Sequence, residues 1–203
     1  MQRTFSKNLV FGPFLFFLLG SALPCVAQYD RQYYIDLGSQ FFMDEDIKYQ
    51  DLIISKRVNI NTTFGDFYSL NNHNKIGYGL GMGATRLVEN PVDPLDPKFD
   101  YERRTRISLN FLVHFNYKYA INKKAHGATY FNAEGFLCLD SFQVPNLNPG
   151  FNLGFSYEGI ASHKFFFEIT AFIGYTHARK EVSTLGGRTF GIKVGLVRRP
   201  GRF

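Results

Sequence analysis

RTRISLNFLVHFNYKYAI, residues 104–121, separates into two different sequences when every second residue is taken. One set is Ile107, Leu109, Phe111, Val113, Phe115, Tyr117, Tyr119 and Ile121, wholly apolar or aromatic. The other is Arg106, Ser108, Asn110, Leu112, His114, Asn116, Lys118 and Ala120, mostly polar. Successive side chains point to opposite faces of a strand, so this period of two predicts a long strand with one apolar and one polar face. The two tyrosines near the end of the apolar set fit a boundary with water, because a phenol has an apolar ring and a polar tip. The predicted element is a membrane-spanning strand, apolar side to lipid and polar side to a lumen.

The same alternation recurs along the chain. Seven further segments carry it, near 31–42, 50–70, 75–88, 128–142, 150–159, 164–178 and 188–198. Each reaches the 9–11 residues that a tilted membrane strand needs. The segment near 50–70 is irregular: Lys56 and Asp66 share the parity of Ile54, Val58 and Ile60. A bulge or a protruding strand end there would resolve the conflict. In the later strands the outward set runs through Phe131, Leu137, Leu139, Phe151, Leu153, Phe155, Phe165, Phe167, Ile169, Ile173, Phe190, Ile192, Val194 and Leu196. The inward set holds Asn132, Glu134, Asn152, Ser156, Glu158, Glu168, Thr170 and Lys193. The fold expected is all-β, an eight-stranded antiparallel up-and-down transmembrane β-barrel.

Connections alternate in character. Asn71–Asn74, Ile121–Gly127 and Ile160–His163 are short, while Phe42–Gln50, Glu89–Asp100, Gln143–Pro149 and Arg179–Gly187 are longer or richer in Pro, Asp and Gly. Short periplasmic turns and longer outside loops are usual in outer-membrane barrels, so the long set is expected to face out.

Residues 1–27 read as a secretory signal. Arg3 and Lys7 precede an uncharged apolar run from Leu9 to Gly20, then small residues lead to Cys25-Val26-Ala27 before Gln28. That run is short of the roughly 20 residues of a spanning helix. Residues 28–203 form the expected barrel domain, 203 less 27 or 176 residues, and loss of Arg3 and Lys7 lowers the formal charge from +6 to +4. Such mild basicity, without Lys/Arg tracts interleaved with aromatics, does not suit nucleic acid. Only Cys138 remains outside the signal, so stability has to come from something other than an intramolecular disulfide. Aromatic residues make up 17% of the chain, 23 Phe and 12 Tyr without Trp, as lipid-facing bands with aromatic girdles at both rims would require.

On this pattern residues 28–203 resemble the small eight-stranded outer-membrane protein families of the OmpA-barrel and OmpX type, and in particular the Bacteroidota-type "outer membrane β-barrel" proteins. The resemblance implies location in a bacterial outer membrane, contact with its lipid, insertion by the barrel-assembly machinery and a structural or surface-binding role for the loops. Such families end on an aromatic residue, as Phe203 does here, although Arg198-Arg199-Pro200-Gly201 interrupts the final alternation.

Residues that could carry chemistry are few. Gly77-Tyr78-Gly79-Leu80-Gly81-Met82-Gly83-Ala84 loosely contains a dinucleotide pattern, but that motif needs a helix opening from it. Glycines on one face of a strand instead make room for long side chains inside the barrel. If the turn after the organising strand centres near Lys124 and the next loop near Asn146, then His114 faces Glu134 and Glu134 faces Glu158. A base oriented by a carboxylate is one reading of that set. The other is a lumenal polar network of Arg57, Arg106, His114, Lys118, Glu134, Glu158, Glu168 and Lys193, because eight strands enclose only enough room for side chains and buried acids need cationic partners. The network reading is preferred. No catalytic residue, metal site or cofactor is assigned, and no Cys/His cluster has metal-ligand spacing. Lipid A deacylases carry His-x-Ser at a strand end, but Asn116 follows His114 by two, Arg179 follows His177 and Phe165 follows His163. A lipid A-modifying enzyme and a soluble lipocalin-like barrel are the alternatives; the latter requires the apolar set to face inward.

Overall fold

The computed structural model describes residues 31–43, 47–49, 52–91, 104–124, 126–140, 146–162, 164–177 and 185–198. The segment expected to be a signal, residues 1–27, lies outside them, as do Cys25, Phe203 and part of each long connection. The described residues form nine strands: β1 Arg31–Phe42, β2 Ile47–Tyr49, β3 Leu52–Ser69, β4 Asn74–Pro91, β5 Arg104–Lys124, β6 Gly127–Asp140, β7 Asn146–Ile160, β8 Phe165–Thr176 and β9 Gly187–Arg198. The eight long ones pair antiparallel, each with its neighbour in sequence, and β1 closes the sheet by pairing with both β9 and β3. The short β2 only extends the β3 edge, Tyr49 facing Leu52. The expected eight-stranded up-and-down barrel is therefore the fold.

Hydrogen-bonded partners followed round the wall from Tyr33 run through Asp66, Tyr78, Phe115, Gly135, Phe151, Tyr175 and Arg188. The circuit returns to β1 at Met43, whose N–H donates to Arg188 O at 2.9 Å, ten residues beyond its start. At about 3.3 Å per residue and 4.8 Å between strands, a ten-residue shift over eight strands tilts them by roughly 40°. The same ten residues then rise about 25 Å along the barrel axis, the height of a lipid-facing band.

The faces fall as the alternation requires. Ile107, Leu109, Phe111, Val113, Phe115, Tyr117, Tyr119 and Ile121 are all exposed on the outside, whereas Ser108, Asn110, His114 and Lys118 are buried within. Phe155, Ile169, Ile173, Phe190, Ile192 and Val194 continue the outer belt. An uncovered belt of this kind, round a closed ladder with no unpaired edge, is the surface of a barrel that spans a bilayer. Among the described tyrosines, Tyr33, Tyr68, Tyr78, Tyr117, Tyr119 and Tyr157 have outward parity near the short-turn end, while Tyr175 and the β2 residue Tyr49 lie near the other. The expected pair of girdles is thus strongly tyrosine at one rim and mainly phenylalanine at the other.

The irregularity foreseen in β3 is a bulge. Register shifts between Ser55 and Val58, and Lys56 adopts a φ of 49°. The extra residue turns Ile54 inward, where it is buried, and leaves Ile60 and Phe64 outside. Asp66 keeps its outward parity and is held by Arg31 Nη2 at 2.7 Å. A second shift follows Ala120 in β5. The segment Gln143–Pro149, expected as a loop, is in part strand: Asn146 already pairs with Asp140.

Candidate functional site: a sealed, ion-paired lumen

The glycines of β4 make the interior possible. A Cβ built on Gly79 would lie 2.6 Å from His114 Nε2 and against Tyr34 Oη; one on Gly81 would lie 2.8 Å from Leu112 Cδ1 and Thr63 Cγ2. Side chains from β1, β3 and β5 lean into the space these glycines leave, and the strand runs on past them to Pro91. The dinucleotide pattern is a packing surface.

His114 sits in that space, entirely buried. Its Nδ1 is 2.8 Å from Glu134 Oε1, and its Nε2 is 2.9 Å from Tyr34 Oη. The ionised carboxylate only accepts, so Nδ1 carries the hydrogen and Nε2 is turned to the Tyr34 hydroxyl. Lys193 Nζ donates to both oxygens of Glu134, at 2.8 and 2.6 Å, and Asn152 Nδ2 donates to Oε2 at 2.6 Å. Glu134 is thereby the hub of this layer.

Nearer the short-turn end lies a square of four charges. Lys75 and Lys118 are cross-strand partners on β4 and β5, and Glu158 and Glu168 are cross-strand partners on β7 and β8. Like charges directly opposite destabilise a ladder when left alone. Here each pair answers the other across the lumen: Lys75 Nζ reaches Glu158 Oε2 at 2.9 Å, and Lys118 Nζ reaches Glu168 at 2.6 and 2.5 Å. Gln32 accepts a further bond from Lys75 at 3.0 Å. The lysines also lie over rings, Lys75 over Tyr130 at 4.6 Å and Lys118 over Phe67 at 4.1 Å.

Towards the long-loop end the lining changes to amides beside apolar groups. Asn110 Nδ2 donates to Asn59 Oδ1 and Thr85 Oγ1, and Asn59 Nδ2 donates to Gln40. Ser108 donates to Asp140 at 2.6 Å. Beside them, nearer the middle of the barrel, the facing pair Leu112 and Cys138 packs together with Leu185, Phe42 and Phe136. Tyr34, Phe67, Val197 and Phe166 form the matching cluster near the other end. Between the two plugs lie cavities of about 20 and 30 Å³, room for a water or two each.

Of the eight predicted network residues, the structure joins His114, Glu134 and Lys193 in one layer and Lys118, Glu168 and Glu158 in the next. Glu158 does not adjoin Glu134: it faces Glu168, while Glu134 faces Asn116 and Asn152. The predicted centre near Asn146 placed the loop inside what is ladder, which displaced every β6–β7 partner. The His114–Glu134 contact is real but diagonal, since His114 faces Phe136 and the hairpin closes at Lys124–Gly127. Arg57 lies by the long-loop mouth, donating to Gly186 O at 2.7 Å over the Phe42 ring. Arg106 is a mouth residue with a half-exposed side chain, 3.4 Å from Glu89, and does not enter the central network. Lys75, Gln32 and Tyr34 were missed, although all three share the inward parity of their strands.

The assembled geometry defines a class, a small membrane-spanning barrel with a filled, charge-paired interior. No protein-family model matches the chain, and no curated protein matches it. Among solved structures it is similar in architecture to a de novo designed transmembrane β-barrel, at 10% identity over 84% of this chain and 95% of that one, TM-score 0.40. It is also similar to Ail, the attachment invasion locus protein of Yersinia pestis, at 14% identity over 84% and 98%, TM-score 0.37. The β domain of the Bordetella autotransporter BrkA matches at 10% identity over 83% and 98%, TM-score 0.36. These are likenesses of barrel architecture and nothing finer.

Proposed function

We propose that this chain is an integral barrel of a bacterial outer membrane, without catalytic turnover or conductance, whose work is done by the long connections it displays at the cell surface. The observation that carries this reading is the sealed lumen. His114 and Glu134, the pair with the geometry of an oriented base, are 0% and 6% exposed as side chains and lie between two apolar plugs. Among the described residues the cavities beside them hold only a water or two each, too little for a substrate, and an eight-stranded wall leaves side chains rather than water along its axis. Outer-membrane lipid is the partner of the belt, the barrel-assembly machinery the partner during insertion, and a surface partner would meet the loops.

Purified protein in detergent should run faster on gels before boiling than after, and in planar bilayers it should pass no ions. Lipid A from cells with and without the protein should give the same mass spectrum. A shifted lipid A profile that depends on His114 would replace this reading with the enzymatic one.

A further inference from the structure

The two rims of the barrel differ in charge as well as in aromatic content. At the short-turn rim the exposed charged residues among those described are Arg31, Lys123, Lys124, Lys164 and Arg198, all basic, and the acids of that end are buried. Two of these cations face outward beside one tyrosine of the girdle. Arg198 of β9 is the direct cross-strand partner of Tyr33, and Arg31 lies two residues before Tyr33 on the same face of β1. Diagonal neighbours of this kind are about 7–8 Å apart, within reach of two long side chains. Arg31 is already aimed: its Nη2 bonds Asp66 Oδ2 at 2.7 Å and its guanidinium lies 4.8 Å over the Tyr33 ring. Asp66 is buried, so it steers Arg31 without presenting its own charge to the rim. On its other side Arg198 meets Phe165, and Lys164 follows just beyond.

From this juxtaposition we infer that the β1–β9–β8 edge of the short-turn rim binds the phosphate of an anionic phospholipid headgroup, with Arg31 and Arg198 as its two donors. Guanidinium groups give bidentate, charge-assisted bonds to phosphate oxygens. The tyrosine girdle fixes the depth, setting both arginines just outside the hydrocarbon, at the level of the phosphates. Arg31 spends one of its five donors on Asp66, which leaves donors for a phosphate oxygen. With no exposed acid among the described residues of the rim to meet a headgroup ammonium, phosphatidylglycerol is preferred to a zwitterionic lipid.

The inference rests on the reading of the chain as a bilayer-spanning barrel, not on which membrane holds it. The test measures the association of spin-labelled phosphatidylglycerol and spin-labelled phosphatidylcholine with the full barrel in phosphatidylcholine vesicles, by the motionally restricted component of the spectrum. The wild type should prefer phosphatidylglycerol, and R31Q/R198Q should lower that preference by roughly fivefold or more. R198Q alone, which keeps the Arg31–Asp66 pair, should move in the same direction, and R31K/R198K should retain part of the preference. Equal association of the two lipids with the wild type would overturn the inference, as would an unchanged preference in R31Q/R198Q. Loss of the preference on adding millimolar inorganic phosphate at constant ionic strength would assign the site to free phosphate and overturn the lipid assignment. Failure of the wild type to insert at all would instead overturn the barrel reading beneath it.

Discussion

Phe111 and Asn110 are adjacent in the chain and live in different solvents. Phe111 is half exposed on the lipid side, and Asn110 is buried inside, donating to Asn59 and Thr85. Phe111→Arg should cost about 2–4 kcal/mol in vesicle unfolding if it sits near the midplane. Asn110→Ala removes two neutral hydrogen bonds and should cost nearer 1 kcal/mol. The deepest single dependence is on Glu134, which serves Lys193, His114 and Asn152 together. Glu134→Ala leaves a buried ammonium without its carboxylate, and the same unfolding measurement should show a loss of about 3–5 kcal/mol. Gly79→Ala pushes a methyl into the His114–Tyr34 contact and should cost about 1–3 kcal/mol through overpacking. That the β4 glycines face inward was readable from their spacing. Which side chains they admit was not, because Tyr34 and His114 come from strands 80 residues apart in sequence.

At the scale of strands, the lysine pair on β4–β5 and the glutamate pair on β7–β8 bind opposite walls of the barrel to each other. Each pair is a same-sign cross-strand contact that its own hairpin would resist, so each hairpin is stabilised only when the barrel closes. K75E/K118E should fold poorly or not at all, since all four corners of the square are then acids. Adding E158K/E168K restores the complement and should recover the faster unboiled gel band and most of the stability; failure of the reversed square to recover either would mean that position matters more than sign. The strands themselves were legible because a two-sided wall imprints a period of two on almost every segment. Where that period broke, at Lys56, the break marked the bulge. Partner identity across β6–β7 was not legible. Register depends on where a loop ends, and Pro149 and two asparagines, Asn146 and Asn148, made Asn146–Pro149 read as loop although it belongs to the ladder.

Cys138 is a free thiol among the described residues, and the barrel's stability follows from closure: every long strand is paired on both edges, and lipid covers the outer belt. The ten-residue shift on closure sets tilt, belt height and lumen width together, and the lumen so defined is narrow enough to be filled by paired charges and two apolar plugs. The sequence carried the class of fold and the inward parity of all eight network residues except the rim position of Arg106. It carried no surface partner, because the connections that would meet one have no repeating pattern to read.

The most direct measurement is a spin-label scan of β5 from Leu109 to Tyr119, one site at a time in a Cys-free background, read for accessibility to oxygen and to a water-soluble nickel chelate. Odd-numbered positions should be accessible to oxygen and not to nickel, and even-numbered positions shielded from both, in an unbroken period of two. Odd positions shielded from oxygen, with the labels at Asn110, His114 and Lys118 open to nickel, would contradict a lipid-facing belt around a sealed polar interior.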